Sequence, residues 1–227
     1  LINALKSLSH REYEISLKLT QFGMTPTEWK DPVTELTDQV KDIPFIKLKF
    51  DMEKESLIDD TLKFSRCFDD VGIVLQANMQ RSYFDIDKAM ESYTRVRICK
   101  GAYKGNIRNM DDIRKNYLNI VEEIFKSGYF YHKDYKQDFI ALGTHDEYLI
   151  ENIKKLARQY GGKQKFYFEM LFGIRRDLAK RLIGEGYSVR TYIPYGADWM
   201  PYVIRRLCEF KNLKFVGVNI IKELFAR

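Results

Sequence analysis

The segment Tyr202-Val-Ile-Arg205-Arg206-Leu-Cys-Glu209 places polar side chains at helical spacing. Positions three and four apart are neighbours on a helix, so Tyr202, Arg205, Arg206 and Glu209 would form one patch. Two adjacent guanidiniums suit a carboxylate, which they can bind with forked hydrogen bonds. Glu209, four residues on, would hold Arg205 in place. An ordinary charged surface helix has the same pattern and is the commoner occurrence. The position of this one, directly after Tyr192-Ile-Pro-Tyr-Gly196, favours a ligand site.

Arg97-Ile-Cys-Lys100-Gly101-Ala102-Tyr103 joins the end of an apolar run to two cations and a turn glycine. The glycine lets a ligand approach the backbone closely. Gly143-Thr144-His145-Asp146 repeats the arrangement, with Asp146 free to cap a following helix. His145 fits a ligand contact and, equally, a hydrogen-bonded histidine at a strand terminus. Asp51 or Arg97 buried alone would cost several kcal/mol per ion. With Lys18 they offset one another and a bound anion completes the balance; a solvated ion pair at the rim fits the spacing as well. His10, His132 and His145 are widely spaced, and without H-x-x-x-H or clustered cysteines no metal site is expected. No G-x-S-x-G elbow, P-loop or G-x-G-x-x-G is present. The 15 Tyr and 15 Phe fall mostly at core spacing and read as packing.

These residues need elements to position them. The spacing predicts strands at Glu14–Thr20, Phe45–Asp51, Gly72–Ala77, Arg95–Lys100, Phe139–His145, Lys165–Leu171 and Ser188–Pro194. Amphipathic stretches at Leu57–Phe68, Tyr83–Ser92, Asp112–Phe125, Glu147–Tyr160, Arg176–Glu185 and Trp199–Glu209 predict the helices between and after them. The Asp111-Asp112 pair, Asp146 and Asp198 sit where N-caps belong, and Gly161 and Gly186 where helices stop. This β-α rhythm implies a largely parallel sheet, and with no linker or low-complexity tract, residues 1–227 read as one domain.

A flat sheet covered on both faces would carry unbroken apolar strands. Here Ile15, Leu17 and Leu19 oppose Ser16 and Lys18, and Ile46, Leu48 and Phe50 oppose Lys47, Lys49 and Asp51. Val96 and Ile98 oppose Arg95 and Arg97, while Arg190 and Tyr192 share a face. The lumen of a β/α barrel can take those charges on one common side. Its excess of cations favours an anionic guest, a phosphate or a carboxylate. The strands end on Lys18, Asp51, Gln76, Arg97 with Lys100, His145, Glu169 and Tyr192, as barrel active sites require. The expected fold is therefore a distorted (βα)8 barrel in which one strand, assigned as the first, is not evident.

At 45% hydrophobic and 31% charged, the 227-residue chain is neither a disordered nor a membrane-protein composition. No apolar run approaches the roughly 20 residues of a membrane span, and no signal pattern opens the chain. A net charge of +6 is too small and dispersed to announce nucleic acid. Cys67, Cys99 and Cys208 read as free thiols in a reducing compartment.

The ordered series EISLKLTQFG, FDME, VLQA, RVRICKGAY, GTHDEYLI, FEMLFGIR and VRTYIPYGADWMPYVIRRLCE, from about residue 14 to residue 209, resembles the proline dehydrogenase family. The KGAY, THDE and Y-x-x-R-R-L-x-E elements at these separations are its most specific parts. The resemblance implies a β/α barrel that binds FAD noncovalently and oxidises L-proline to Δ1-pyrroline-5-carboxylate, the first step of proline catabolism. It implies a cytoplasmic location and electrons passed to a quinone-type acceptor, with peripheral contact at the inner membrane. By motif position, Asp51 and Arg97 would be catalytic, with Lys18 beside the substrate. Met52, Gln76, Lys100, Gly101, Ala102, Thr144 and His145, together with Arg97, would contact FAD. Arg205 and Arg206 would bind the proline carboxylate, and Tyr103, Leu171, Tyr192 and Tyr202 would enclose the ring. Tyr167 and Glu169 stand where the family has glutamate and glutamine, and the loop Lys104–Met110 is of a kind that could cover the site. Two alternatives are a barrel that binds proline or flavin without turnover and a flavin barrel acting on hydroxyproline, the latter disfavoured by the bulk of Tyr192.

Overall fold

The computed structural model describes residues 1–8, 11–92, 94–127, 139–163 and 165–196. After a short helix α1 (Ile2–Lys6), strands and helices alternate: β1 (Tyr13–Leu17), α2 (Pro26–Val40), β2 (Ile46–Phe50), α3 (Ile58–Ser65), β3 (Val71–Gln76), α4 (Ser82–Glu91) and β4 (Val96–Cys99). The alternation continues with α5 (Met110–Lys126), β5 (Ile140–Gly143), α6 (Glu147–Gln159), β6 (Tyr167–Leu171), α7 (Arg176–Gly184) and β7 (Ser188–Tyr192). All seven strands are parallel, and each pairs with its neighbours in chain order.

Two contacts establish that the sheet is rolled. Arg97 in β4 donates from Nη2 to Ser16 Oγ in β1 at 2.8 Å, and Arg190 in β7 donates to Glu14 in β1 at 2.9 Å. In a flat sheet β1 and β7 would lie about 28 Å apart, at about 4.7 Å per strand spacing. No side chain spans that gap, so the alternating charged face lines a lumen and the helices cover the outside. Among the described residues no backbone ladder joins β7 to β1, so the arc contains seven of the eight strands expected of a barrel.

The strands are shorter than the spacing predicts. Lys18, Asp51, Lys100, Thr144 and His145 fall just beyond the last ladder residue, where the chain turns out of the sheet. Asp146 caps α6 by accepting from the Tyr148 N–H at 3.1 Å, and Gly161 and Gly186 adopt positive φ of 67° and 82° after their helices. Helix α5 instead takes Asn109 as its cap, with Asn109 Oδ1 accepting from Asp111 N at 2.8 Å. Asp111 and Asp112 sit in the first turn, where the helix dipole favours them. The predicted helix Trp199–Glu209 and its Asp198 cap lie outside the described residues.

Helix α2, between β1 and β2, is not among the predicted helices, and it carries two prolines, Pro26 and Pro32. Pro26 occupies the first helical position, where a missing N–H costs nothing. A capping box starts the helix: Glu28 accepts from the Thr25 N–H at 2.9 Å and the Thr25 hydroxyl at 2.8 Å. Its inner face buries Trp29, Val33 and Val40, and Trp29 meets Phe64 of α3 edge-on at 5.5 Å. This cluster backs β1 and β2. A larger one, from Ile73 through Tyr187, backs the later strands.

Candidate active site

The alternation that turns Ile46, Leu48 and Phe50 towards the helices turns charge into the lumen, where it forms two layers. In the lower layer Glu14 of β1 is the hub. It pairs with Lys49 of β2 and Arg95 just before β4, and with Arg190 of β7 at 2.9 Å. Lys49 is 1% exposed, and Gly72 in β3 makes room for it: a Cβ there would lie 3.2 Å from the lysine Cε and 3.1 Å from the Arg95 carbonyl. Burial alone would push the Glu14 carboxyl up, but Lys49, Arg95 and Arg190 outweigh it and hold the group at about 2. Burial pulls the Lys49 ammonium down, opposed by Glu14. Arg95 also bonds the Leu48 carbonyl at 3.1 Å and Asp70 at 3.0 Å, so the layer's donors are satisfied.

The upper layer inverts this. Arg97 is now the hub. It donates from Nη1 to Asp51 Oδ1 at 3.0 Å and from Nη2 to Ser16, and its guanidinium lies 4.9 Å from the centre of the Tyr192 ring. Its Nε lies 2.7 Å from Glu169 Oε1. That approach is short but poorly aligned: Nε and Glu169 Oε2 both lack a hydrogen-bond partner. Burial raises the proton affinity of Asp51, against the pull of Arg97, Lys18 and Lys49. Burial works against the Arg97 charge, but Glu169 and Asp51 more than restore it and the arginine stays protonated.

Above the layers, the rim is built from side chains that fix loops. Gln76 is buried; its Oε1 accepts from the Ala102 N–H at 3.0 Å, and its Nε2 donates to the Glu53 carbonyl at 3.0 Å. The Glu53 carboxylate accepts from the Thr20 N–H at 3.1 Å, the Thr20 hydroxyl at 2.7 Å and the Tyr103 hydroxyl at 3.3 Å. Gly101 needs its φ of +121°, and a Cβ there would fall 2.2 Å from Asn78. Asn78 donates to the Tyr103 carbonyl at 2.7 Å, while its Oδ1 has no hydrogen-bond partner. Lys100 reaches Asp146 at 3.4 Å. The Thr144 hydroxyl accepts from Asp146 N at 3.0 Å. His145 Nε2 accepts the Leu171 N–H at 3.0 Å, which leaves Nδ1 to carry the ring proton. Burial, then Lys100 and Arg175, push the His145 pKa down to about 4, so the ring is neutral near pH 7.

Lys18, Asp51, Arg97 and Tyr192 therefore meet at the top of the lumen. Gln76, Ala102 and Tyr103 form a second group, and Lys100, Thr144, His145 and Leu171 a third. Met52 is buried beside Asp51 in sequence. Tyr202, Arg205 and Arg206 lie outside the described residues. Sequence reasoning missed Glu14, Glu53 and Asn78. Glu14 had a signal, since it shares a face with Ser16; Glu53 and Asn78 sit in loops, where no period marks them.

The donors at this rim are of the kind that the FAD implied by the resemblance would need. Two cations and a neutral imidazole suit an anionic cofactor, and two buried acceptors, Glu169 Oε2 and Asn78 Oδ1, lack protein partners.

Comparison with known proteins identifies the family. The proline dehydrogenase family matches residues 2–217. A proline dehydrogenase of Deinococcus radiodurans is 34% identical over 98% of this chain and 74% of its own length. Proline dehydrogenase 2 of Bacillus subtilis is 30% identical over 92% of this chain and 70% of its own. Among solved structures, proline utilization A from Corynebacterium freiburgense superposes with a TM-score of 0.70 at 15% identity over 96% of this chain. The same protein from Bdellovibrio bacteriovorus gives 0.67 at 22% identity over 85%. This chain spans 30% and 24% of the length of those two, and the likeness establishes the barrel fold. With a rolled parallel sheet, a charged lumen and a family match over nearly its whole length, the chain belongs to the proline dehydrogenase family of oxidoreductases.

Proposed function

We propose that this chain, acting as one barrel unit, oxidises L-proline to Δ1-pyrroline-5-carboxylate with FAD as cofactor, the first step of proline catabolism. The observation that carries the reading is Arg97, buried and held by Ser16 of β1, Asp51 at the end of β2, Glu169 of β6 and Tyr192 of β7 at the top of a charged lumen. Bound FAD supplies an acceptor for the hydride leaving the substrate's ring carbon.

The chain's own residues do the rest. Met52, Lys100, Gly101, Ala102, Thr144 and His145 would hold the cofactor at the rim. Gln76 acts by fixing the Ala102 backbone. Arg97 stabilises negative charge and needs no reorganisation to do so, because its neighbours already fix it. Asp51, with its raised proton affinity, takes the ammonium proton of bound proline; Lys18 beside it disfavours a second cation. The neutral nitrogen then has a lone pair to form the C=N bond. Arg205 and Arg206 grip the carboxylate, and Tyr103, Leu171, Tyr192 and Tyr202 enclose the ring. Clamping fixes the reacting carbon and supplies orientation.

Electrons then leave to a quinone-type acceptor, the cytoplasmic protein touching the inner membrane at its periphery. Among the described residues no helix is long and apolar enough to cross a membrane. Tyr192, held over Arg97, makes hydroxyproline the poorer substrate by kcat/KM. The test is anaerobic addition of proline to the flavin-loaded protein. Bleaching of the flavin band with formation of the cyclic imine is expected, and loaded protein that does not bleach refutes the reading.

A further inference from the structure

Glu169 is an unusual neighbour for Arg97. Its side chain is 4% exposed, one oxygen lies 2.7 Å from Nε, and the other has no hydrogen-bond partner. Asp51 and Ser16 already take the two directed bonds from the guanidinium ends. The poor alignment at Nε means that Glu169 adds little directional hold; what it adds is a negative charge. One guanidinium thus faces two carboxylates in a water-poor layer. Charges there act strongly over several ångströms, since the effective dielectric is far below that of water.

We propose that Glu169 is a charge-balancing positioning residue: by offsetting Arg97, its carboxylate holds down both the electron affinity of the cofactor in the lumen and the lumen's affinity for anions. The cofactor half of this rests on the function proposed above; the anion half does not. A flavin gains negative charge when reduced, so a carboxylate behind Arg97 disfavours the reduced form. Removing that charge without changing shape favours it.

Glu169→Gln is the shape-preserving neutral variant, Glu169→Ser a smaller neutral one, and Glu169→Asp retains the charge. The two-electron midpoint potential of the FAD-loaded proteins, measured by reductive titration without proline, is expected to rise in Glu169→Gln. The expected size is about tenfold in the reduction equilibrium, close to 30 mV for a two-electron couple. Glu169→Ser should rise too, so a folding failure of one neutral variant leaves the other to decide. Glu169→Asp should stay near wild type. Neutral variants with unchanged or lowered potentials overturn the proposal, as does an aspartate variant that shifts with them. Proline bleaching of the wild type is scored separately, so an unreactive flavin rejects the substrate assignment while the potentials still judge Glu169. If the wild type takes up no FAD, calorimetric titration of the flavin-free protein with inorganic sulfate decides: about tenfold tighter binding in Glu169→Gln supports the proposal, and equal binding overturns it.

Discussion

The two layers of the lumen lie two residues apart along the strands, roughly 6.6 Å, and their charges are arranged oppositely. Below, one carboxylate (Glu14) is surrounded by Lys49, Arg95 and Arg190. Above, one guanidinium (Arg97) is flanked by Asp51 and Glu169. The lower cluster is closed, because Arg95 finds further acceptors on Asp70 and Leu48 and Glu14 is held by all three cations. The upper one leaves an arginine N–H and a carboxylate oxygen undirected. Burying such atoms without partners costs free energy. A protein that satisfies the floor of its lumen and leaves the layer above incomplete has its floor built for stability and its upper layer for a ligand.

That contrast is sharpest in Glu14→Gln. Removing the hub's charge leaves buried Lys49 without its carboxylate and takes one partner each from Arg95 and Arg190, and breaking such a cluster costs about 3–5 kcal/mol. Urea denaturation should show that loss, while kcat of the molecules still folded stays within about twofold of wild type. A fall in kcat as large as the loss of stability would mean the floor is part of the reaction. The same group sets an acid limit. Its carboxyl, at about 2 in the fold against an ordinary 4.5, contributes stability above pH 4.5 that is lost as the pH falls towards 2. Glu14→Gln should lack that component in acid denaturation.

Arg97→Gln should reverse the pattern, lowering kcat roughly 10²–10³-fold, the scale of losing one preorganised electrostatic group. Steady-state kinetics with saturating proline measures it. Next is Glu53→Gln at the rim, which weakens bonds to Thr20 and Tyr103 and should cost about 1.5–3 kcal/mol of stability. With Tyr103 loosened, KM should rise more than kcat falls.

The effect of His145 is absent at neutral pH and appears only in acid. The unfolded chain takes up the imidazole proton near 6.5, whereas the folded ring resists until about 4. Stability is therefore lost as the pH drops from 6.5 to 4, and a proton NMR titration should place the midpoint near 4. A midpoint near 6.5 would mean that the Leu171 N–H bond and the burial of the ring are absent in solution.

The strands were legible because period-2 alternation is strong wherever one side must carry charge, as in Arg95, Arg97 and Arg190. Asp51, Arg97 and Tyr192 could be placed together from that alternation plus the rule that barrel sites gather at strand ends. Helix α2, not among the predicted helices, contains Pro32, a residue whose local preference opposes a helix that Trp29 and Val33 stabilise through packing. The capping of α5 by Asn109 rather than by the aspartates two residues on is a boundary effect, decided by local hydrogen bonding. Glu14 escaped notice as a hub because its three partners come from β2, β7 and the residue before β4. A pattern within one strand cannot report on contacts across the lumen. For the same reason Gln76, read as a strand-end residue, revealed nothing of its grip on Ala102.

The Glu14–Arg190 pair joins residues 176 positions apart. At the ribosome's pace of about 5–20 residues per second, the first strand waits roughly ten seconds or more before Arg190, its last partner, exists. Throughout that interval the nascent sheet is open, with Glu14 able to reach Lys49 and then Arg95 but not its last partner. The late arrival of β7 therefore works as a latch: Lys49 and Arg95 can engage Glu14 first, and the seventh strand adds the final pair, Arg190 to Glu14.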